Sequence, residues 1–186
     1  MYKPAQLSST SGDTLPRGTS GFTLVELIAV ILLLGVLSTV AASRMVGSSS
    51  YLPSMIAREG IAFSRLAQQH GASRQDAQIQ LVLDAPGSDW RFRVVANVGG
   101  SSQVIREETL ERKGTAVRVS DGLVSAMVDA SSSLEIDYDG LGGVAAAKIG
   151  TSVLDKDRGI DLTASGDSFH QLCIEPTGFA ALGPCD

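Results

Sequence analysis

Gly21-Phe22-Thr23-Leu24-Val25-Glu26-Leu27-Ile28-Ala29-Val30-Ile31-Leu32-Leu33-Leu34-Gly35-Val36-Leu37 is an apolar run broken by a single carboxylate, and no charged residue follows from Leu27 to Ser43. Counted from Phe22 to Ser43, the segment would make roughly 33 Å of helix at 1.5 Å per residue. That length crosses a hydrocarbon core of about 30 Å. A carboxylate at the centre of such a layer costs on the order of 2.5–3.5 kcal/mol, so Glu26 is the residue that most needs a reason.

On the N-terminal side, residues 1–20 are polar and rich in Ser, Thr, Gly and Pro, without apolar periodicity. Such a composition cannot bury a core and predicts disorder. A secretory signal has a short apolar stretch followed by a small-residue cleavage site. Here the order is reversed: polar segment, then Gly21, then the long apolar run. On the C-terminal side, Leu52, Met55, Ile56, Phe63, Leu66 and Ala67 recur near helical spacing, with Arg58, Glu59, Arg65, Gln68 and Gln69 mostly elsewhere. The pattern predicts the lower half of one long helix, ending at His70-Gly71, where Gly is a natural C-cap. Gly35, the Gly47-Ser48-Ser49-Ser50 stretch and Pro53 are the places where it would bend.

From residue 78 the period becomes two. Ile79, Leu81 and Leu83 alternate, Pro86-Gly87-Ser88-Asp89 offers a turn, and Trp90, Phe92 and Val94 alternate with Arg91 and Arg93, which predicts a hairpin with one buried face and with both arginines on the solvent side. Gly99-Gly100-Ser101-Ser102 marks a loop. Val104–Glu108 and Ala116–Val119 are candidate strands around Lys113-Gly114, and Leu134–Tyr138 before Asp139-Gly140 is a better one. Residues 141–158, rich in Gly and Ala, are expected to be irregular. Ile160, Leu162 and Ala164, then Leu172-Cys173-Ile174, then Phe179–Leu182 complete a turn-punctuated β series.

The 186 residues predict one domain, or a small domain with an appended segment. Mean hydropathy is +0.16, much of it owed to the run after Gly21. The net charge of -5 includes +1 from residues 1–21, where Lys3 and Arg17 oppose Asp13, leaving -6 for the body. An acidic body argues against nucleic acid as a partner, because phosphate binders carry a basic face. Cys173 and Cys185 could close a small loop in an oxidising compartment, the alternative being two free buried thiols. With only His70 and His170 beside them they make a poor zinc set, and no cofactor is expected.

Gly21-Phe22-Thr23-Leu24-Val25-Glu26-Leu27 resembles the cleavage and methylation motif of type IV prepilins and type II secretion pseudopilins. The resemblance covers about the first third of the chain. It implies cleavage between Gly21 and Phe22 by prepilin peptidase, a membrane aspartic peptidase acting on the cytoplasmic side, followed by N-methylation of Phe22. It also gives Glu26 a role in assembly. The chemistry is consistent with this: Gly21 lets an extended backbone enter a protease cleft, and the cut leaves Phe22 with a positive amine. Glu26 lies one helical turn along from that amine, and its better partner is the amine of a neighbouring subunit, since opposite charges in lipid relieve each other's desolvation. The competing reading is an ordinary first-turn acid favoured by the helix dipole. Two departures stand out. Many pilins have a kinking proline where this chain has Ser43, and the basic residue before the cut is set back to Arg17. The turn order of the final third also resembles minor pseudopilins of the H-like kind and minor pilins, including those of mannose-sensitive haemagglutinin (MSHA) pili.

Other constellations are weaker. Asp155, Asp157 and Asp161 alternate near Gly159 like a calcium loop, but Lys156 and Arg158 interleave them and no distal Glu follows. Glu135, Asp137 and Asp139 could present a carboxylate pair, although a wet strand face ending in an Asp-Gly turn explains them. No nucleophile elbow, phosphate loop or dinucleotide fingerprint is present, and the chain is not expected to be an enzyme.

The expected product is an α+β subunit: a cleaved leader over 1–21, a long helix over 22–70 with a transmembrane and an amphipathic half, and an antiparallel β-rich periplasmic head over 71–186 packed on that helix. It would sit once through the inner membrane, N-terminus cytoplasmic, with prepilin peptidase and other pilin or pseudopilin subunits as partners. A tip adhesin or DNA-uptake module is the reading from another class, and it requires a localised basic or concave patch.

Overall fold

The computed structural model describes residues 23–45, 50–74 and 76–185; the leader, Gly21 and Phe22 lie outside them. The chain divides between Arg44 and Met45 into two units, each taken by itself. The first holds α1 (Leu24–Met45). The second holds α2 (Leu52–Ser73) followed by eleven strands.

The helix expected as one element from Phe22 to His70 is therefore two. Ser50 and Tyr51 form a bend, Tyr51 is the N-cap of α2, and Pro53 stands in its first turn, where a missing N–H costs nothing. The far end also differs from expectation. Gly71 lies inside α2, which continues to Ser73 and closes with the Arg74 N–H donating to the His70 carbonyl at 3.0 Å. The buried stripe of α2 is Leu52, Ile56, Gly60, Phe63, Ala67 and Gly71 with their immediate neighbours. Met55, expected on it, is turned outward.

The strands form two antiparallel sheets. β1 (Gln78–Asp84), β2 (Asp89–Val98), β3 (Ser101–Glu111), β6 (Leu134–Tyr138), β7 (Val144–Ile149) and β8 (Ser152–Leu154) make a six-stranded sheet in the order β3-β2-β1-β6-β7-β8. β4 (Ala116–Ser120), β5 (Ser125–Met127), β9 (Ile160–Ser165), β10 (Phe169–Ile174) and β11 (Ala180–Leu182) make a five-stranded sheet in the order β11-β10-β9-β4-β5. The hairpin of β1 and β2 pairs Leu81 with Val94 and Leu83 with Phe92, as the alternation requires. Residues 141–158 are not irregular. Val144, Ala147, Ile149 and Leu154 are buried, and β7 and β8 extend the first sheet from β6. Alanine's low strand preference hid this, because pairing and burial of one face outweigh propensity.

Helix α2 packs on strands of both sheets, including β1, β2, β9, β10 and β11. Phe63 meets Phe92 with ring centroids 5.7 Å apart. A Cβ on Gly60 would come within 2.6 Å of Leu172 Cδ2, so glycine lets the helix lie close to β10. The buried Ser64 hydroxyl hydrogen-bonds Tyr138 Oη at 2.7 Å, and burial pushes that phenol well above its ordinary value. Trp90 donates its indole N–H to Thr115 Oγ1 at 2.7 Å, with the Arg112 guanidinium stacked 4.8 Å from its ring.

Candidate functional site

Thr23 and Glu26 stand three apart at the start of α1, the spacing of a capping box. Glu26 N–H lies 3.3 Å from Thr23 Oγ1 and 3.0 Å from the Thr23 carbonyl, and Leu27 N–H donates to the same carbonyl at 3.2 Å. The Thr23 cap was legible in the sequence as this spacing, yet only Glu26 is singled out by charge. Glu26 is exposed in the first turn, and among the described residues its carboxylate has no hydrogen-bond or ion-pair partner.

The side chains that follow are apolar on every side of the helix and uncovered. The exposures of the large ones run from 44% at Val30 to 66% at Leu32. A helix that is hydrophobic all round belongs in a core or a membrane. Among the described residues no helix is long and apolar enough to cross a membrane; side chains of α1 are described as far as Ser38.

On the head, Cys173 and Cys185 are joined in a disulfide, which ties the segment after β11 to β10. Asp161 receives the Cys185 N–H at 2.7 Å, and Gly159 packs against the Cys185 sulfur. The three candidate calcium ligands are each engaged separately. Asp155 caps the short 3-10 turn Lys156–Arg158 through the Asp157 N–H, Asp157 pairs with Lys156 at 2.8 Å, and Asp161 is spent on Cys185. The group of ligand-type side chains that does converge is Asp161, Cys173 and Cys185, and both of its sulfurs are in the disulfide.

Asp121, which the sequence reading passed over, is the buried carboxylate that joins these loops. It accepts from Leu123 N–H at 2.8 Å, Val124 N–H at 2.6 Å and Asp155 N–H at 2.6 Å. Burial pushes its carboxyl up, and these backbone donors outweigh that and hold it below its ordinary value. An Asp-Gly pair just after the Ala116–Val119 strand was the available signal. Arg91 and Arg93, expected to face solvent, both ion-pair with Asp84, at 2.7 and 2.8 Å. Glu135 and Asp137 accept from Gln80, and Glu135 also pairs with Lys148. An open cleft of about 410 Å³ lies beside the disulfide, with Asp157, Arg158, Glu175 and Pro184 on its walls. It is concave, one of the two features that the tip adhesin or DNA-uptake reading asks for, and its charge is mixed, so it is not a basic patch.

The family comparison matches the prokaryotic N-terminal methylation motif to residues 16–42, the stretch that contains Gly21, Phe22 and Glu26. No curated protein matches the chain, and no solved structure does. The motif implies a prepilin peptidase substrate, a membrane-anchored pilus-type subunit that interacts with other such subunits. With that motif at the head of an exposed apolar helix and an α+β body behind it, the chain resembles type IV pilins and pseudopilins.

Proposed function

We propose that this chain is a minor pilin-type subunit, cut between Gly21 and Phe22, N-methylated at Phe22, and assembled into a type IV pilus-like filament that it initiates or caps. Before assembly the apolar segment from Phe22 to Ser43 crosses the inner membrane once, with the N-terminus cytoplasmic and the head periplasmic. During assembly the same side chains bury against sister helices. Glu26 then receives the Phe22 amine of a neighbour, a charge pair that sets register. The protein catalyses no reaction; its work is polymerisation. Among filament systems we favour an MSHA-type pilus over a type II secretion pseudopilus, on the C-terminal cysteine pair.

The observation that carries this reading is the first turn of α1. An unengaged carboxylate stands at the start of a helix whose apolar surface has no cover, so both the charge and the surface await partners outside the chain. Intact-mass spectrometry of protein extracted from membranes of a peptidase-positive cell tests it. Loss of residues 1–21 and one added methyl on Phe22 are expected; an unprocessed N-terminus would falsify the proposal.

A further inference from the structure

The two sheets of the head end in the edge strands β3 and β8 on one side and β5 and β11 on the other. β5, β8 and β11 are three residues long each, whereas β3 runs for 11. A row of backbone N–H and C=O groups left open over such a length is a template for another strand, and proteins guard it with lysine, proline or bulges. β3 holds neither lysine nor proline. Its guard is a bulge opposite Val94 and Val95, which leaves Ile105 without a partner in β2. From Arg106 to Thr109 every residue of the strand is exposed.

The charges on that stretch say what fits it. Arg106 and Glu108 stand opposite Val94 and Phe92, on the core-facing side of the sheet. There the Arg106 guanidinium lies 5.3 Å from the Phe63 ring, and Glu108 has no hydrogen-bond or ion-pair partner among the described residues. Glu107 is on the other face, opposite Arg93 and within electrostatic reach of Arg91. A second β3 laid antiparallel about a two-fold axis can be centred on any of these three residues. Centring on Arg106 sets arginine against arginine, and centring on Glu108 sets glutamate against glutamate. Centring on Glu107 opposes Arg106 to Glu108 on both sides of the axis. Opposite charges directly across two strands stabilise the pair, and like charges destabilise it. In that register Glu107 faces its own copy, but each of the two carboxylates has Arg91 and Arg93 beside it in β2. Regular pairing then covers Ile105 to Thr109 on each copy, about the ordinary length of a strand.

We propose that the open edge of β3 is a docking surface for a second copy of this chain, joined by antiparallel β3–β3 pairing centred on Glu107 into one sheet that continues across two heads. Backbone hydrogen bonds hold the strands together, and the Arg106–Glu108 pairs fix the register. The contact uses neither α1 nor the processed N-terminus, so it stands or falls apart from the filament assembly proposed above.

The test uses the full chain in detergent. Both native cysteines are in the disulfide, so Glu107→Cys supplies a thiol free to cross-link under mild oxidation. Directly opposed residues have Cα atoms about 4.5–5.5 Å apart, within disulfide reach. Glu111→Cys is the control, because in this register its two copies stand about eight residues apart along the paired strands, roughly 27 Å. Several-fold more covalent dimer is expected from position 107 than from 111. Adding Arg106→Glu or Glu108→Arg to Glu107→Cys turns both charge pairs into like charges and should cut the yield several-fold. An equal mixture of those two variants should restore it, since each then opposes the other's charge. Arg106→Glu also gives up the stacking on Phe63, so Glu108→Arg decides the matter if that variant fails to fold by circular dichroism. Equal yields at 107 and 111, as chains merely sharing a micelle give, overturn the proposal. A yield that Glu108→Arg leaves unchanged overturns it too, as does a mixture of two folded variants that stays monomeric.

Discussion

At the scale of single residues, Glu26 and Asp121 represent two uses of a carboxylate. Glu26 has no partner among the described residues and Asp121 has three backbone donors, so they should fail differently when changed. Glu26→Ala should leave the chain in the membrane fraction and reduce its entry into filaments. A pair worth only about 1.4 kcal/mol changes an equilibrium tenfold, so incorporation should fall by at least that factor; sheared-filament immunoblots that match wild type would remove the ion-pair role. Asp121 acts on stability. Its carboxyl and that of Asp84 lie below the ordinary value of 3.8, for Asp84 because the Arg91 hydrogen bond and the Arg93 charge together outweigh burial. A folded value below the unfolded one means that the stabilisation is in full force above pH 3.8 and disappears as pH falls through the folded values. Acid unfolding of the head should therefore begin below pH 3.8, and Asp121→Asn should flatten that acid limb in a pH series of melts. An unaltered limb would mean that the loop linkage through Asp121 carries no charge-dependent stability.

At the scale of elements, the parts legible in the sequence were those with strict periodicity. Ile79, Leu81 and Leu83 against Trp90, Phe92 and Val94 predict the β1–β2 hairpin because only one face can be apolar, and the structure pairs them in that register. The stripe of α2 was legible in the same way, apart from Met55. What escaped was decided by tertiary context: β7 is alanine-rich, β5 is three residues long, and the bend at Ser50-Tyr51 interrupts what reads as one amphipathic helix. The processing motif was fully legible, since its meaning lies in residue order, whereas the Asp121 linkage needs Asp155, 34 positions away, and leaves no local pattern. A turn supplies an element-scale test. Gly178 has φ +80°, and a Cβ there would come within 2.0 Å of the Gly142 carbonyl oxygen. Gly178→Ala must move backbone as well as accept a strained conformation, which alone costs about 1–3 kcal/mol. A melting temperature within a degree of wild type would show that the 139–143 and 175–178 turns do not meet as described.

At the scale of the whole molecule, the head is two antiparallel sheets and one helix sharing a single core, from Ile56 and Phe63 to Leu134, Ile160 and Ile174. The disulfide fixes the last described segment to that body. Cross-linking a loop of this size stabilises by about 3 kcal/mol through the unfolded chain, which for a protein of this length is roughly 6–12 °C. Melting with and without reductant should differ by that amount, and Cys185→Ser should reproduce the reduced value.

The close approach of Gly60 to Leu172 has a consequence for biosynthesis. The face of α2 is finished by β9, β10 and β11, which leave the ribosome long after the helix does. Until they arrive, Ile56 and Phe63 have no lid on that flank, and the emerging chain is a sticky, unfinished object. A nascent head stalled before Ile160 should therefore be bound by chaperones and degraded by proteases that ignore the complete one. Only translation through the β10–β11 hairpin covers that flank of α2.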